Sequence, residues 1–125
     1  MPSQNVEFNS KKRSSDHPGV DEVDPKEVWE KRSQVTIIDV RRPEEFSGPL
    51  GHIPGALHMV LDTLPDRLDD IPKDKTLVFV CLSGGRSGRA CTFVQEEGYT
   101  QVLNMKGGMT LWNNLQLEVE GRSKA

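Results

Sequence analysis

With only two cysteines, Cys81 and Cys91, the chain can build neither a disulfide framework nor a cysteine-rich zinc site. It also lacks an excess of positive charge. Its 16 basic and 19 acidic residues leave a net charge of -3, whereas a nucleic-acid surface needs a concentrated basic face. The one basic run, Lys11-Lys12-Arg13, lies in a polar stretch and reads as solvated. No apolar run approaches the roughly 18 residues that span a bilayer. Neither nucleic acid nor a membrane is therefore an expected partner. Behind Met1-Pro2-Ser3-Gln4-Asn5 there is no apolar core of a secretory leader, so a cytoplasmic location, where thiols stay reduced, is expected. What the chain does have is 125 residues, 34% of them hydrophobic, enough for one domain with one core.

Residues 1–19 are mostly Ser, Asn, Lys, Arg and Asp without periodicity, and are expected to form a disordered or loosely attached tail. The chain turns polar again after Leu117, which leaves 20–117 as the domain and 118–125 as a C-terminal tail. Asp24-Pro25-Lys26-Glu27 supplies an N-cap, a proline at the first helical position and a capping-box glutamate, predicting a short helix through Val28 and Trp29. Residues 35–40 form a β-branched run suited to a strand buried on both faces. Pro43-Glu44-Glu45-Phe46 opens another short helix, closed by Gly48-Pro49. Residues 56–59 read as a brief strand, 61–68 as a short amphipathic helix, and 76–80 as a second buried strand. A helix over 86–97 stops at Gly98, a third strand covers 101–104, and Met109 leads into a last helix. This alternation predicts an α/β domain with a mainly parallel sheet, in which ligands bind beyond the carboxyl ends of the strands. The segments after Asp39 and after Val80 fall on that edge.

The most informative stretch is Cys81-Leu82-Ser83-Gly84-Gly85-Arg86-Ser87-Gly88, which leaves a buried strand, turns through two glycines and enters a helix. Glycines let successive N–H groups point into one concavity, and the helix start adds its own unpaired N–H groups. A cysteine at the mouth of such a cradle is held as thiolate; a hundredfold gain in thiolate needs about 2.7 kcal/mol of preferential stabilisation. Arg86 adds a permanent charge. A free cysteine is more often a small buried hydrophobe, but the coincidence of strand end, glycine turn, arginine and helix start favours a reactive thiol.

The loop from Cys81 to Ser87 resembles the active-site loop of rhodaneses, the thiosulfate sulfurtransferases. Ile38-Asp39-Val40-Arg41 with Pro43-Glu44-Glu45-Phe46 is similar to the family's early motif, Gly51-His52-Ile53-Pro54-Gly55-Ala56 to its next loop, and Gly107-Gly108-Met109 to Trp112 to its C-terminal signature. The resemblance implies a five-stranded, mainly parallel sheet flanked by helices on both faces. It also implies sulfur transfer through a Cys81 persulfide, from thiosulfate or a similar donor to a thiol, a protein thiol or cyanide, without metal or organic cofactor. The four residues between Cys81 and Arg86 make a six-residue loop, one shorter than in the phosphatases and arsenate reductases of the same fold, which favours sulfur over phosphate. An alternative to a free-standing enzyme is a partner-specific persulfide carrier or a regulatory binding module.

Arg86 is expected either to bind substrate or to anchor the loop to a carboxylate such as Asp39. Leu82 is neutral where some family members carry a charge. Ser83 can donate to the persulfide or complete a turn, and Ser87 to cap the helix. Asp39 ends a buried strand and needs a partner, with loop amides, Arg41 or Arg86 as candidates; Asp39 and Arg41 are expected to support the site. His52 reads as a structural hydrogen-bonding residue, while His17 and His58 carry no motif. Cys91, about 8 Å from the loop at 1.5 Å per helical residue, reads as a core thiol. The segment 47–50 is longer than the usual spacing in the family.

Overall fold

The computed structural model describes residues 6–123. Three short strands form the centre: β3 (Thr36–Asp39), β5 (Leu77–Val80) and β6 (Val102–Met105). They pair in parallel, with Ile38 opposite Phe79 and Phe79 opposite Asn104. All residues of β5 and β6 are buried, as expected of strands covered on both faces. β2 (Asp21–Val23) adds in parallel beside β6 and β4 (Leu57–His58) beside β3. β1 (Lys12–Arg13) closes the far edge, antiparallel to β2, giving the order β1-β2-β6-β5-β3-β4. The architecture is the α/β sheet expected from the sequence, with six strands in place of five.

Side chains alternate across these strands, as period 2 requires. Leu77, Phe79 and Ile38 face α3 (Gly85–Glu96) together with Ala90, Cys91 and Val94. Val78, Val80, Ile37 and Leu103 face α1 (Pro25–Lys31) and α4 (Gly108–Asn114) with Val28, Met109 and Trp112. Cys81 continues the Leu77–Phe79 series and so belongs to the α3 side. α2 (Pro43–Phe46) sits at the carboxyl end of β3. The expected helix over 61–68 is instead two 3₁₀ turns, Leu61–Asp66 and Leu68–Asp70. Pro65 lies inside the first and cannot donate the hydrogen bond that a regular helix would need.

The N-terminal expectation is corrected. Residues 1–5 lie outside the described residues, but 6–19 pack on the domain. Phe8 enters the core beside Val28, and Ser14 is buried. The Glu27 carboxylate accepts the amides of Asn9 (2.7 Å) and Ser10 (2.8 Å) and the Ser10 hydroxyl (2.7 Å), with Lys31 at 3.1 Å. Glu27 is thus not the capping-box residue of α1, and Asp24 makes no side-chain cap; the Asp24 amide donates to Ser10 Oγ. Burial alone would raise the Glu27 pKa, but the Ser10 hydroxyl, the two amides and Lys31 outweigh it and bring it down to about 2. The C-terminal segment also returns to the domain. Glu120 and His52 exchange backbone hydrogen bonds of 3.0 and 2.9 Å, and the Ser123 amide donates to Gly48 O. The long 47–50 loop is the partner of this returning segment.

Glu27→Ala is expected to release residues 6–19, seen as lost exchange protection at the Asn9 and Ser10 amides and faster tryptic cleavage after Lys11–Arg13, with a loss of about 2 kcal/mol in stability. Because the folded carboxyl titrates near 2 and not 4.5, the contact is complete above pH 4.5 and fails as the pH falls towards 2.

Candidate active site

Cys81 follows β5 directly, is 1% exposed and is free of any disulfide. The chain then turns so that its amides face the sulfur. The Gly84 amide donates to Sγ at 3.0 Å, and the amides of Ser83 and Ser87 stabilise the anion as well. The Ser87 hydroxyl lies 3.3 Å from Sγ. Burial pushes the thiol pKa up; the Ser87 hydroxyl and the three amides more than offset it, and the net direction is down. The turn depends on Gly84 at φ +114°, a backbone region that side chains disfavour, and Gly84 is the N-cap of α3.

Two supports hold the loop from outside. Asn104, from the end of β6, donates from Nδ2 to Gly84 O at 3.0 Å and accepts from the Ser87 hydroxyl at Oδ1, 2.5 Å away. One hydroxyl proton cannot serve Asn104 and Sγ fully at once, so the steady donors to the thiolate are the amides. On the other flank the amides of Met109 and Thr110 donate to Cys81 O (2.8 Å) and Leu82 O (3.0 Å). This approach requires Gly108, at φ +55°, because a Cβ there would collide with both carbonyls.

Arg86 anchors the loop to a carboxylate, one of the two roles expected of it, but the carboxylate is Glu45. Its Nη1 and Nη2 donate to Glu45 Oε1 and Oε2 at 2.7 and 2.8 Å, and its partner is therefore not Asp39. The guanidinium drives the Glu45 pKa down to about 2, and Glu45 in turn holds Arg86 above its ordinary value. Asp39 is instead paired with Arg41, both 1% exposed, with Nη2–Oδ2 at 2.8 Å and Nε–Oδ1 at 3.0 Å. Arg41 Nη2 also donates to Gly51 O, and Arg41 O accepts from His58 Nε2. Breaking a pair this buried costs about 3–5 kcal/mol. Phe46 is stacked between His52 (3.7 Å) and His58 (4.2 Å), and His52 Nδ1 donates to Phe46 O, so His52 has the structural role expected of it.

Glu45, Asn104 and His17 were not singled out from the sequence as site residues. The first two lie far along the chain from the groups they hold. His17 packs over Gly88, in the first turn of α3, where no larger residue would fit. Cys91 is fully buried, and burial pushes its thiol pKa well up. Among the described residues no group of His, Cys, Asp or Glu could hold a metal ion, and no helix is long and apolar enough to cross a membrane.

The structure thus sets the Cys81 sulfur among hydrogen-bond donors at a strand end of a mainly parallel α/β sheet. The family model of the rhodanese-like domain matches residues 24–115, and the chain belongs to that family. It is 36% identical over 96 residues to a sulfurtransferase of Allochromatium vinosum, covering 74% of this chain and 88% of that protein. It is 31% identical over 91 residues to the thiosulfate sulfurtransferase GlpE of Ectopseudomonas mendocina, covering 72% and 82%. A rhodanese-related protein from Thermoplasma volcanium has the same fold, with a TM-score of 0.74 at 23% identity over 80% of this chain and 97% of that one. Residues 6–19, including His17, precede the family match.

Ser87→Ala is expected to slow alkylation of Cys81 at neutral pH several-fold without abolishing it, since the amide donors remain. Gly108→Ala is expected to lower stability by about 2 kcal/mol or more, read by thermal melting.

Proposed function

We propose that this domain is a sulfurtransferase that moves sulfane sulfur from thiosulfate or a similar donor to a thiol or cyanide through a persulfide on Cys81. The observation that carries this reading is the convergence of the Ser83, Gly84 and Ser87 amides on Sγ. In the first step the Cys81 thiolate attacks the outer sulfur of thiosulfate; the S–S bond breaks, its electron pair leaves with sulfite, and the enzyme retains Cys81–S–S⁻. In the second step cyanide or a thiolate attacks the outer sulfur and the Cys81 thiolate is expelled. The anion stays on sulfur throughout, so the same amides serve the thiolate and the persulfide without rearrangement. Asp39 and Arg41 act at a distance, fixing the Gly51 and His58 side of the site. The resemblance to relatives named sulfurtransferase and thiosulfate sulfurtransferase supports the assignment, and a reducing cytoplasm suits a free thiolate.

The test is intact mass after treating reduced protein with excess thiosulfate or inorganic polysulfide. Wild type and Cys91→Ser are expected to gain one sulfur atom, and Cys81→Ser none. No gain with either donor, or hydrolysis of an aryl phosphate in its place, would overturn the reading. Cyanide turnover marks a free-standing enzyme; loading without turnover marks a carrier for a protein acceptor.

A further inference from the structure

We propose that Glu45 sets the class of donor: by occupying Arg86 it leaves the loop without a free cation for the thiosulfate dianion and turns the site towards organic persulfides, R–S–SH. This rests on the sulfur-transfer reading above. From Cys81 to Ser87 the loop has one charged side chain, Arg86, and both arms of its guanidinium are engaged by one carboxylate at 2.7 and 2.8 Å. Glu45 is not free to swing away. Its Oε1 also accepts the Arg42 amide at 3.1 Å, and the neighbouring Phe46 is clamped between two imidazoles. Arg41, also at this end of the sheet, is taken up by Asp39 and Gly51 O. Beside the loop lies a cavity of about 240 Å³ whose lining carries two carboxylates, Asp16 and Glu22, and one cation, Lys106.

A thiolate meeting thiosulfate brings three negative charges together, and hydrogen bonds to one sulfur neutralise little of that. An organic persulfide brings none in its protonated form. The thiolate attacks the terminal sulfur, the R–S–S bond breaks, and the departing RS⁻ takes the proton: Cys81–S⁻ and R–S–SH give Cys81–S–S⁻ and R–SH. Leu82, 38% exposed in the same loop, offers an apolar contact to R where a charge would serve an anion.

The experiment measures single-turnover loading of Cys81 by intact mass, with thiosulfate and with hydroxyethyl persulfide, whose R group carries no charge, at a pH low enough to keep part of the persulfide protonated. Wild type should load faster from the persulfide. Glu45→Gln, which keeps an acceptor for the Arg42 amide but frees the Arg86 charge, should raise the thiosulfate-to-persulfide rate ratio about tenfold, an advantage that shrinks with added salt. Leu82→Lys should raise the ratio with the Glu45–Arg86 pair intact, which keeps the test sound if the Gln variant folds poorly. Loading by both donors with the ratio unchanged in both variants would overturn the role of Glu45 alone. Loading by neither donor in wild type would overturn the sulfur-transfer reading as well.

Discussion

A buried sulfur atom can carry charge only where the protein solvates it, and the turn that follows Cys81 is built to meet that condition. Water is excluded from Cys81, so burial favours the neutral thiol. The remedy is a turn of backbone that aims its amides inward at one atom. Amides aimed inward leave carbonyls aimed outward, and each outward carbonyl then needs a partner. Asn104 takes that of Gly84, while the first turn of α4 takes those of Cys81 and Leu82. The two flanks of the loop therefore follow from the turn that aims its amides at Sγ.

Charge is handled in closed pairs around this centre. Asp39 with Arg41 and Glu45 with Arg86 each join a strand end or loop to the α2 platform, and the stacked rings of His52, Phe46 and His58 fix that platform in turn. The loop's stabilising field comes chiefly from hydrogen-bond donors. Such a field is short-ranged and favours charge located on Sγ or on one further sulfur, which suits a persulfide.

The central strands, the loop and its cysteine were legible because they depend on local signals: β-branched runs, paired glycines and a helix start. The supports were not, because they join residues distant in sequence. Glu45 and Arg86 are 41 positions apart, and nothing near Glu45 distinguishes it from Glu44. Asn104 reads as an ordinary strand residue until parallel pairing with β5 brings it beside the loop. Residues 6–19 read as a tail because their polar groups find partners elsewhere. Glu27 satisfies Asn9 and Ser10, and the same carboxylate looked like a local cap. Pro65 was visible, but the apolar spacing around it suggested a regular helix that the missing N–H prevents.

The most direct test is titration of Cys81 in the folded wild-type protein, following thiolate absorbance in the ultraviolet with Cys81→Ser as the blank. The cradle predicts a half-titration below the roughly 8.5 of a free thiol, while Cys91 stays protonated throughout. Half-titration at or above that value would mean that burial wins over the converging donors, and would contradict the account at its base.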